Sequence, residues 1–169
     1  MIFVDESSIN TGMTRLYGRG KSGERIGEYV PDVRFCRTSI ISSISAEGEM
    51  VPLIFKGTLT GELFIEYVRR CLVPTLNVGN IVVLDNLSSH KVKGVREAIE
   101  SAGCKVLYLP AYSPDLNPIE LAWSKIKAVL RKIKARTEGV LTEAISEALS
   151  LISRSDILGW FLHAGYAIN

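Results

Sequence analysis

The sequence VLYLPAYSPDLNPIELAWSKIKAVLRKIKAR, residues 106–136, decides how this chain folds. Residues 106–109 are apolar and predict a short strand covered on both faces. A loop must follow, since proline lacks a backbone donor and three prolines come in quick succession: Pro110, Pro114 and Pro118. Asn117 suits the N-cap of a long helix, and Pro118 suits its first position.

Glu120 has two explanations from this segment alone. It falls at the third position of the predicted helix, three residues after Asn117. That spacing resembles a capping box, in which the glutamate side chain accepts a hydrogen bond from the N–H of the cap residue. Alternatively, its carboxylate points from the first helical turn toward acidic side chains elsewhere in the chain. The segment leaves both explanations open.

The composition is that of a globular protein, and its 169 residues predict one domain with a sizeable core. The formal net charge of +2 gives little indication of a nucleic-acid partner. The distribution of charge is more informative, because residues 125–136 contain no acidic residue and six basic ones: Lys125, Lys127, Arg131, Lys132, Lys134 and Arg136.

The cysteines and the hydropathy of the chain indicate the cellular compartment in which the protein is expected. Cys36, Cys71 and Cys104 are widely spaced and form no CxxC pair, so neither a zinc site nor a disulfide framework is indicated. No apolar run approaches the length of a membrane span, and Asp5 comes too early for a signal peptide. We therefore expect a cytoplasmic protein with no membrane contact.

The hydrophobic periodicity of the whole chain predicts a single α/β domain over residues 1–169, with a mixed central sheet and flanking helices. The elements expected around the opening segment are a strand over 1–4, a polar glycine-rich loop over 7–32, a hairpin of strands over 33–45 and 50–55, a helix over 60–72, a strand over 81–84, a helix over 92–102, and two helices within 137–169.

Local signals refine this order. Pro52 cannot donate to a β-ladder, so its strand is expected at an edge of the sheet. Residues 81–84 are uniformly apolar and predict an interior parallel strand. Ser88 or Ser89 is expected to cap the helix that follows, and the strand–helix–strand order predicts a right-handed crossover.

Three acidic residues from distant segments fall at junctions between elements. Asp5 ends the first predicted strand and Asp85 ends the strand over 81–84, while Glu120 enters a helix directly after a third strand. Ligand sites of open α/β sheets lie beyond the carboxyl ends of the strands, so these side chains are expected to converge. For Asp5 and its neighbour Glu6, the alternative is a pair of solvated turn residues.

Clustered carboxylates repel one another unless a cation lies among them. Hard oxygen ligands with no nearby cysteine or histidine favour Mg²⁺ or Mn²⁺ over zinc. Two such ions can activate an attacking oxygen and stabilise a leaving oxygen at a phosphodiester. The acidic residues therefore indicate a two-metal phosphodiester chemistry.

The predicted helix over 118–136 has a basic face. Helical spacing brings Lys127, Arg131 and Lys134 within about 40° of the direction of Glu120. The core-facing stripe is separate and consists of Ala122, Ile126, Val129, Leu130 and Ile133. The basic face suits a phosphate backbone, as do three cations of the long loop, Arg15, Arg19 and Lys21. The alternative is a solvated, lysine-rich surface.

Three motifs together resemble the catalytic domain of Asp-Asp-Glu (DDE) transposases: FVDES, VVLDNLSSHK and LPAYSPDLNPIELAWSKIK. The mariner superfamily, in its bacterial insertion-sequence branch, is the most similar group. The 34 residues between Asp85 and Glu120 match the interval typical of that branch. RLYGRGKSGERI and the terminal HAGY also resemble the family, so the resemblance covers nearly the whole chain.

The resemblance implies a ribonuclease H-like fold, magnesium-dependent hydrolysis at transposon ends, and strand transfer into target DNA. It assigns the catalytic and metal-binding roles to Asp5, Asp85 and Glu120. Supporting residues from the same motifs are Asn86, His90 and Asn117. His90 is expected to bond a neighbouring loop or to serve as a structural histidine rather than to act chemically.

The resemblance also implies partners. Because two transposon ends must be brought together, a homodimer bound to DNA at the nucleoid is expected. Family members carry helix-turn-helix modules before the first catalytic strand, and this sequence begins at that strand. We therefore expect recognition of the transposon ends to be missing, to be supplied by a separate helix-turn-helix chain, or to have been lost through decay.

Three other functions remain as alternatives. The first is a catalytically inactive, transposase-derived module that binds DNA or aids assembly. The second is another nuclease of the same fold, such as a ribonuclease H or a junction resolvase. The third, a phosphoacceptor receiver domain, would require a lysine after a later strand, where Pro110 follows Leu109.

Overall fold

The computed structural model describes residues 1–27 and 37–167 and contains a five-stranded mixed sheet in the order β3-β2-β1-β4-β5. Its strands are β1 (Ile2–Asn10), β2 (Arg37–Ser45), β3 (Met50–Lys56), β4 (Ile81–Leu84) and β5 (Lys105–Tyr108). β1, β2 and β3 pair in antiparallel fashion, whereas β4 runs parallel to both β1 and β5. The predicted fold class is confirmed.

The helices lie on both faces of the sheet. They are α1 (Gly61–Tyr67), α2 (Val95–Ser101), α3 (Ile119–Ile133), α4 (Glu138–Ser150) and α5 (Arg154–His163). Side chains alternate along β1, so Phe3 packs with α3, α4 and α5 while Ile2 and Val4 pack with α1 and α2. This alternation gives the sheet one hydrophobic core on each side.

The hairpin and its edge strand follow the prediction. β2 and β3 pair in antiparallel fashion across a turn in which Gly48 has a φ of 87°. β3 is an edge strand of the sheet. The missing N–H of Pro52 is tolerated there, because one side of an edge strand has no partner strand to bond. The part of the predicted first strand of the hairpin that spans 33–36, including Cys36, lies outside the described residues.

The first strand is longer than predicted. β1 does not end at Asp5 and Glu6 but continues to Asn10, because β2 pairs with it along its whole length, from Ile2 opposite Ser45 to Asn10 opposite Arg37. Pairing with β2 provides hydrogen-bond partners for the backbone of Asp5 and Glu6, which a turn would have left to solvent. Asp5 and Glu6 are therefore strand residues whose side chains point to opposite faces.

The strand predicted over residues 106–109, which is β5, is not covered on both faces. β5 is the last strand of the described sheet, and α2 packs against it. Val106 is buried, but the Leu107 side chain on the other face is 51% exposed. An apolar run of four residues does not distinguish an edge strand from an interior one, and only the strand order decides it.

The helix after β4 begins later than predicted. Ser88 and Ser89 lie in a 3₁₀ turn (Ser88–Lys91) that buries His90, and neither serine caps a helix. α2 starts only after Gly94, whose φ of 96° favours glycine, and Glu97 accepts a hydrogen bond from the Gly94 N–H at 2.8 Å. The parallel pairing of β4 with β5 confirms the strand–helix–strand unit.

The start of α3 also differs. The helix begins at Ile119, no side chain caps it, and neither Asn117 nor Glu120 forms the capping box considered above. Ala122, Ile126 and Leu130 are buried as expected. Ile133 is exposed instead, because the chain leaves the helix at Lys134 in the left-handed region. Within the described residues, no helix is long and apolar enough to cross a membrane.

Candidate active site

Asp5 and Asp85 lie side by side because of the strand register. Val4 pairs with Leu84 in the parallel ladder between β1 and β4, and the two aspartates are the next residues of their strands. At this point β4 ends while β1 continues. The two carboxylates therefore lie at the carboxyl end of the parallel part of the sheet, where α/β ligand sites form.

A cleft of about 450 Å³ opens at this edge. Glu120, in the first turn of α3, lines it together with both aspartates. The remaining lining comes from the ends of β4 and β5 and from the proline-rich loop: Asn86, Leu87, Leu109, Pro110, Ala111, Tyr112, Ser113, Pro114 and Asn117. The structure thus brings three acidic residues from three separate elements into one cleft.

Asp5 is the buried member of the cluster, with 6% of its surface exposed. Its Oδ2 accepts hydrogen bonds from Trp123 Nε1 at 3.2 Å and from Asn117 Nδ2 at 3.3 Å. Burial raises the pKa of Asp5 to about 7, and the charges of Glu6 and Glu120 add to this effect. The carboxylate is therefore held in place at an electrostatic cost.

Asp85 has the opposite electrostatics. Its Oδ1 accepts a hydrogen bond from the Leu87 N–H at 2.9 Å and makes a close ion pair with His90 Nδ1. Burial alone would raise the pKa of Asp85, but the bonds from His90 and Leu87 outweigh it and lower the pKa. Asp85 is therefore a carboxylate at neutral pH.

His90 is fully buried beneath the cleft and connects two acids. Its Nε2 lies 3.1 Å from Glu6 Oε2, while its Nδ1 contacts Asp85. Burial would lower the pKa of His90, but its bonds to Asp85 and Glu6 raise it to about 9. The ring packs on Phe64 with centroids 4.3 Å apart. His90 is therefore placed to fix two carboxylates rather than to reach into the cleft.

Glu120 lies at the exposed mouth of the cleft. Partial burial raises its pKa, the charge of Lys127 lowers it, and the charges of Asp85 and Glu6 raise it further. Lys127 therefore lies on the same side of α3 as Glu120, as the helical spacing predicts. Arg131 is half-buried on the helix, whereas Lys134 follows its last turn with a φ of 56°, so helical spacing does not orient it.

The other predicted residues have separate positions. Arg15, Arg19 and Lys21 are exposed in the irregular segment after β1. Asn86 donates a hydrogen bond from Nδ2 to the Leu109 carbonyl, which ties the ends of β4 and β5 together. Asn117 is buried, and among the described residues its Oδ1 has no hydrogen-bond partner.

Two residues that position the acids were not predicted. Glu6 follows Asp5 along β1, and its carboxylate lies 3.1 Å from His90 Nε2. Trp123 lies one turn after Glu120 and donates its indole N–H to Asp5. A buried tryptophan requires an acceptor for that N–H, so its place on the core-facing side of α3 was the available signal.

The cleft offers oxygen ligands of the kind that a divalent cation prefers. Within the described residues, no three histidine, cysteine, aspartate or glutamate side chains are grouped closely enough to hold a metal ion as they stand. The chemistry of the donors nevertheless fits, because three carboxylates share a cleft, Asp5 is uncompensated, and the Asn117 Oδ1 is free to accept.

Asp5→Asn is expected to stabilise the metal-free protein by about 1–2 kcal/mol at pH 8, because it removes a buried charge that Glu6 and Glu120 repel. The pKa of Asp5 is raised in the folded state, so its stabilising contribution is present at low pH and is lost as the pH rises from 3.8 to about 7. Urea unfolding at pH 4 and at pH 8 measures the difference. A less stable variant at pH 8 would contradict the expectation.

The sheet order and the flanking helices define a fold of the ribonuclease H type. The family model for the DDE superfamily endonuclease matches residues 1–141, and the chain belongs to that family. This match confirms the resemblance found in the motifs. No match was found among curated protein sequences.

Solved structures of Mos1 transposase share the fold. The paired-end complex with the left transposon end has a TM-score of 0.74 and 18% identity, covering 96% of this chain and 51% of that chain. The mariner paired-end complex with Mn has a TM-score of 0.75 and 17% identity, covering 96% and 52%. The isolated Mos1 catalytic domain has a TM-score of 0.69 and 16% identity, covering 96% and 76%. This chain thus spans about half the length of the transposase in the paired-end complexes.

Proposed function

We propose that this chain is the catalytic domain of a mariner-type transposase of the bacterial insertion-sequence branch, which cuts DNA at transposon ends and joins the ends to target DNA. The observation that carries the proposal is the convergence of Asp5, Asp85 and Glu120 in one cleft from two strands and a helix. Membership of the DDE endonuclease family and the shared fold with Mos1 transposase support it.

Asp5, Asp85 and Glu120 would together hold two divalent ions, either Mg²⁺ or Mn²⁺. When bound, such ions activate an attacking oxygen and stabilise the leaving oxygen of a phosphodiester. The residues of the chain perform the positioning: Trp123 and Asn117 orient Asp5, and His90 with the Leu87 N–H orients Asp85. Solved Mos1 paired-end complexes with Mn and with Mg support this choice of metal.

The basic residues would hold the phosphates of the DNA. Lys127 lies beside Glu120, Arg131 follows it along α3, and Lys134 comes directly after the last residue of the helix. Arg15, Arg19 and Lys21 would supply a second set of contacts from the segment after β1. Two other cations of α3 and its end serve the fold instead, since Lys125 pairs with Asp156 at 2.6 Å and Arg136 donates to the carbonyl of Thr11 at 2.8 Å.

Lys127→Ala is expected to weaken DNA binding and to reduce the slope of log affinity against log salt by about 0.9, the effect of losing one phosphate contact. Fluorescence anisotropy over a salt series measures both quantities. Lys132→Ala is the matched control, since Lys132 is exposed on another side of the same helix. Equal slopes for the two variants would remove Lys127 from the DNA-binding surface.

The proposed partners follow from the proposed reaction. A homodimer would bring two transposon ends together; Mos1 transposase has been solved as a paired-end complex with the left transposon end. A separate helix-turn-helix chain would supply recognition of the end sequence. The complex would act on DNA at the nucleoid. Analytical ultracentrifugation with and without DNA tests the dimer.

One observation favours a second candidate, a catalytically inactive module that binds DNA: the acids of the described residues are not grouped as a ready-made metal site. A magnesium titration, followed both by calorimetry and by nicking of a transposon-end duplex, separates the two. We expect magnesium-dependent nicking. DNA binding without nicking at any metal concentration would favour the inactive module, and preferred cleavage of hybrid or branched substrates would favour another nuclease of this fold.

A further inference from the structure

Tyr112 is an aromatic side chain in an unusual position. It lines the cleft that holds Asp5, Asp85 and Glu120, and its side chain is fully exposed. Within the described residues, its ring takes part in no aromatic, cation–π or hydrogen-bond contact. The ring is not buried and therefore contributes no packing energy to the fold.

The backbone at Tyr112 is also strained. Its φ of 57° lies in the left-handed region, which is sparsely populated by residues with a bulky side chain. Glycine or asparagine would adopt this conformation at lower cost. An exposed ring on a strained backbone has no structural explanation here, and such outliers concentrate at functional sites.

The loop that carries Tyr112 is anchored at both ends. On one side, the Leu109 N–H donates to the Leu84 carbonyl at 2.8 Å, and Asn86 bonds the Leu109 carbonyl. On the other side, the Tyr166 hydroxyl donates to the Leu116 carbonyl at 2.7 Å. The ring is therefore presented at a defined place beside the acids.

The cleft also has an apolar wall next to its carboxylates. Leu87, which is 44% exposed, and Ala111 line it together with Tyr112. A phosphate backbone gains nothing from such a surface, whereas the flat face of a nucleobase does. Within a duplex each base face is covered by its neighbours, so only an unpaired base outside the duplex stack could place its face on the ring in this way.

We propose that Tyr112 is a stacking platform for an unpaired nucleobase next to the phosphodiester at the acidic cleft, so that the preferred substrate is a DNA end with a single-stranded extension. The inference rests on the proposed function, because the DNA strand enters the cleft in order to be cut or joined there. The preference for a single-stranded extension follows from the exposed ring of Tyr112, because the acidic residues by themselves do not distinguish one DNA end from another.

The test compares binding of two DNA probes in Ca²⁺: a blunt duplex, and a duplex of equal length that ends in a short single-stranded 3′ extension carrying 2-aminopurine. Tyr112→Asn is expected to weaken binding of the extended duplex about fivefold to a hundredfold, the range for loss of one base–aromatic stack. Its affinity for the blunt duplex is expected to stay the same. The quenching of 2-aminopurine seen with the unmodified protein is expected to disappear.

Two controls isolate the ring. Tyr112→Phe keeps the aromatic face and is expected to bind both probes as the unmodified protein does. Val78→Asn removes an apolar side chain that is 86% exposed just before β4, at the opposite end of the parallel strands, and is expected to leave the binding of both probes unchanged. Tyr112→Asn should also unfold at the same temperature or a higher one, because asparagine tolerates the left-handed region.

Two results would overturn the inference: unchanged binding of the extended duplex by Tyr112→Asn, or an equal loss for both probes. Neither result would affect the proposed nuclease function, which is measured separately as magnesium-dependent nicking by the unmodified chain. Absence of that nicking would instead contradict the proposed function while leaving the comparison of the two probes intact.

Discussion

Asp85→Asn is expected to lower magnesium-dependent nicking on the order of a thousandfold, which corresponds to about 4 kcal/mol of lost transition-state stabilisation. The substitution removes a negative charge from the cleft but preserves the shape of the side chain. Asparagine retains an oxygen that can accept the hydrogen bond from the Leu87 N–H. The loss should therefore come from chemistry, because the site keeps its geometry.

Measuring nicking of a supercoiled plasmid together with circular dichroism checks this expectation. Asp115→Asn is the matched control, because Asp115 is an exposed aspartate of the proline-rich loop that does not line the cleft with Asp5 and Asp85. We expect the control to nick at the rate of the unmodified protein. Unchanged nicking by a folded Asp85→Asn variant would refute the assignment of Asp85 as a catalytic residue.

His90→Ala is expected to lower the free energy of unfolding by about 2–4 kcal/mol, the largest stability effect predicted for this site. The substitution leaves the carboxylates of Asp85 and Glu6 without their shared cation, and it empties the space that the ring fills against Phe64. Urea unfolding at pH 6 measures the change.

The other histidine supplies the control. His163 is exposed at the end of α5, and His163→Ala should leave the urea midpoint unchanged. The pKa of His90 is raised in the folded state, so its ionic contribution is complete below 6.5 and is lost as the pH rises to about 9. The difference between His90→Ala and the unmodified protein should therefore shrink in that range. A constant difference would show that packing alone is responsible.

The site combines two electrostatic arrangements. Asp85 is compensated by His90, whereas Asp5 is buried near Glu6 and Glu120, and only neutral hydrogen-bond donors reach its Oδ2. The buried charge of Asp5 therefore destabilises the fold, whereas the ion pair of Asp85 with His90 stabilises it. A cation among the acids would reverse the cost at Asp5, so added Mg²⁺ should stabilise the unmodified protein more than it stabilises Asp5→Asn.

Much of the fold follows from local sequence signals. The helix predicted over 60–72 is an α-helix only from Gly61 to Tyr67 and continues as a π-helix from Val68 to Leu72. The strand over 81–84, the hairpin with Pro52 at an edge and the two C-terminal helices are confirmed. These elements have strong periodicity and clear turn residues, so neighbouring residues alone decide them.

The errors lie where tertiary contacts override local signals. Asp5 and Glu6 read as the end of a strand, but pairing with β2 carries β1 through them. Asn117 reads as a helix cap, but its amide donates to Asp5, 112 residues earlier in the chain. Ser88 and Ser89 were also expected to be helix caps, but they lie in a 3₁₀ turn that places His90 between two acids.

The sequence by itself determined the family, the order of the elements and the three acids proposed for catalysis, because motif spacing and apolar periodicity are local properties of the chain. Only the tertiary structure decided which groups hold those acids. The partnership of Trp123 with Asp5 and of Glu6 with His90 joins residues that are 118 and 84 positions apart in the sequence. No local pattern encodes such contacts, since they exist only once the register of β1 against β4 aligns Asp5 with Asp85.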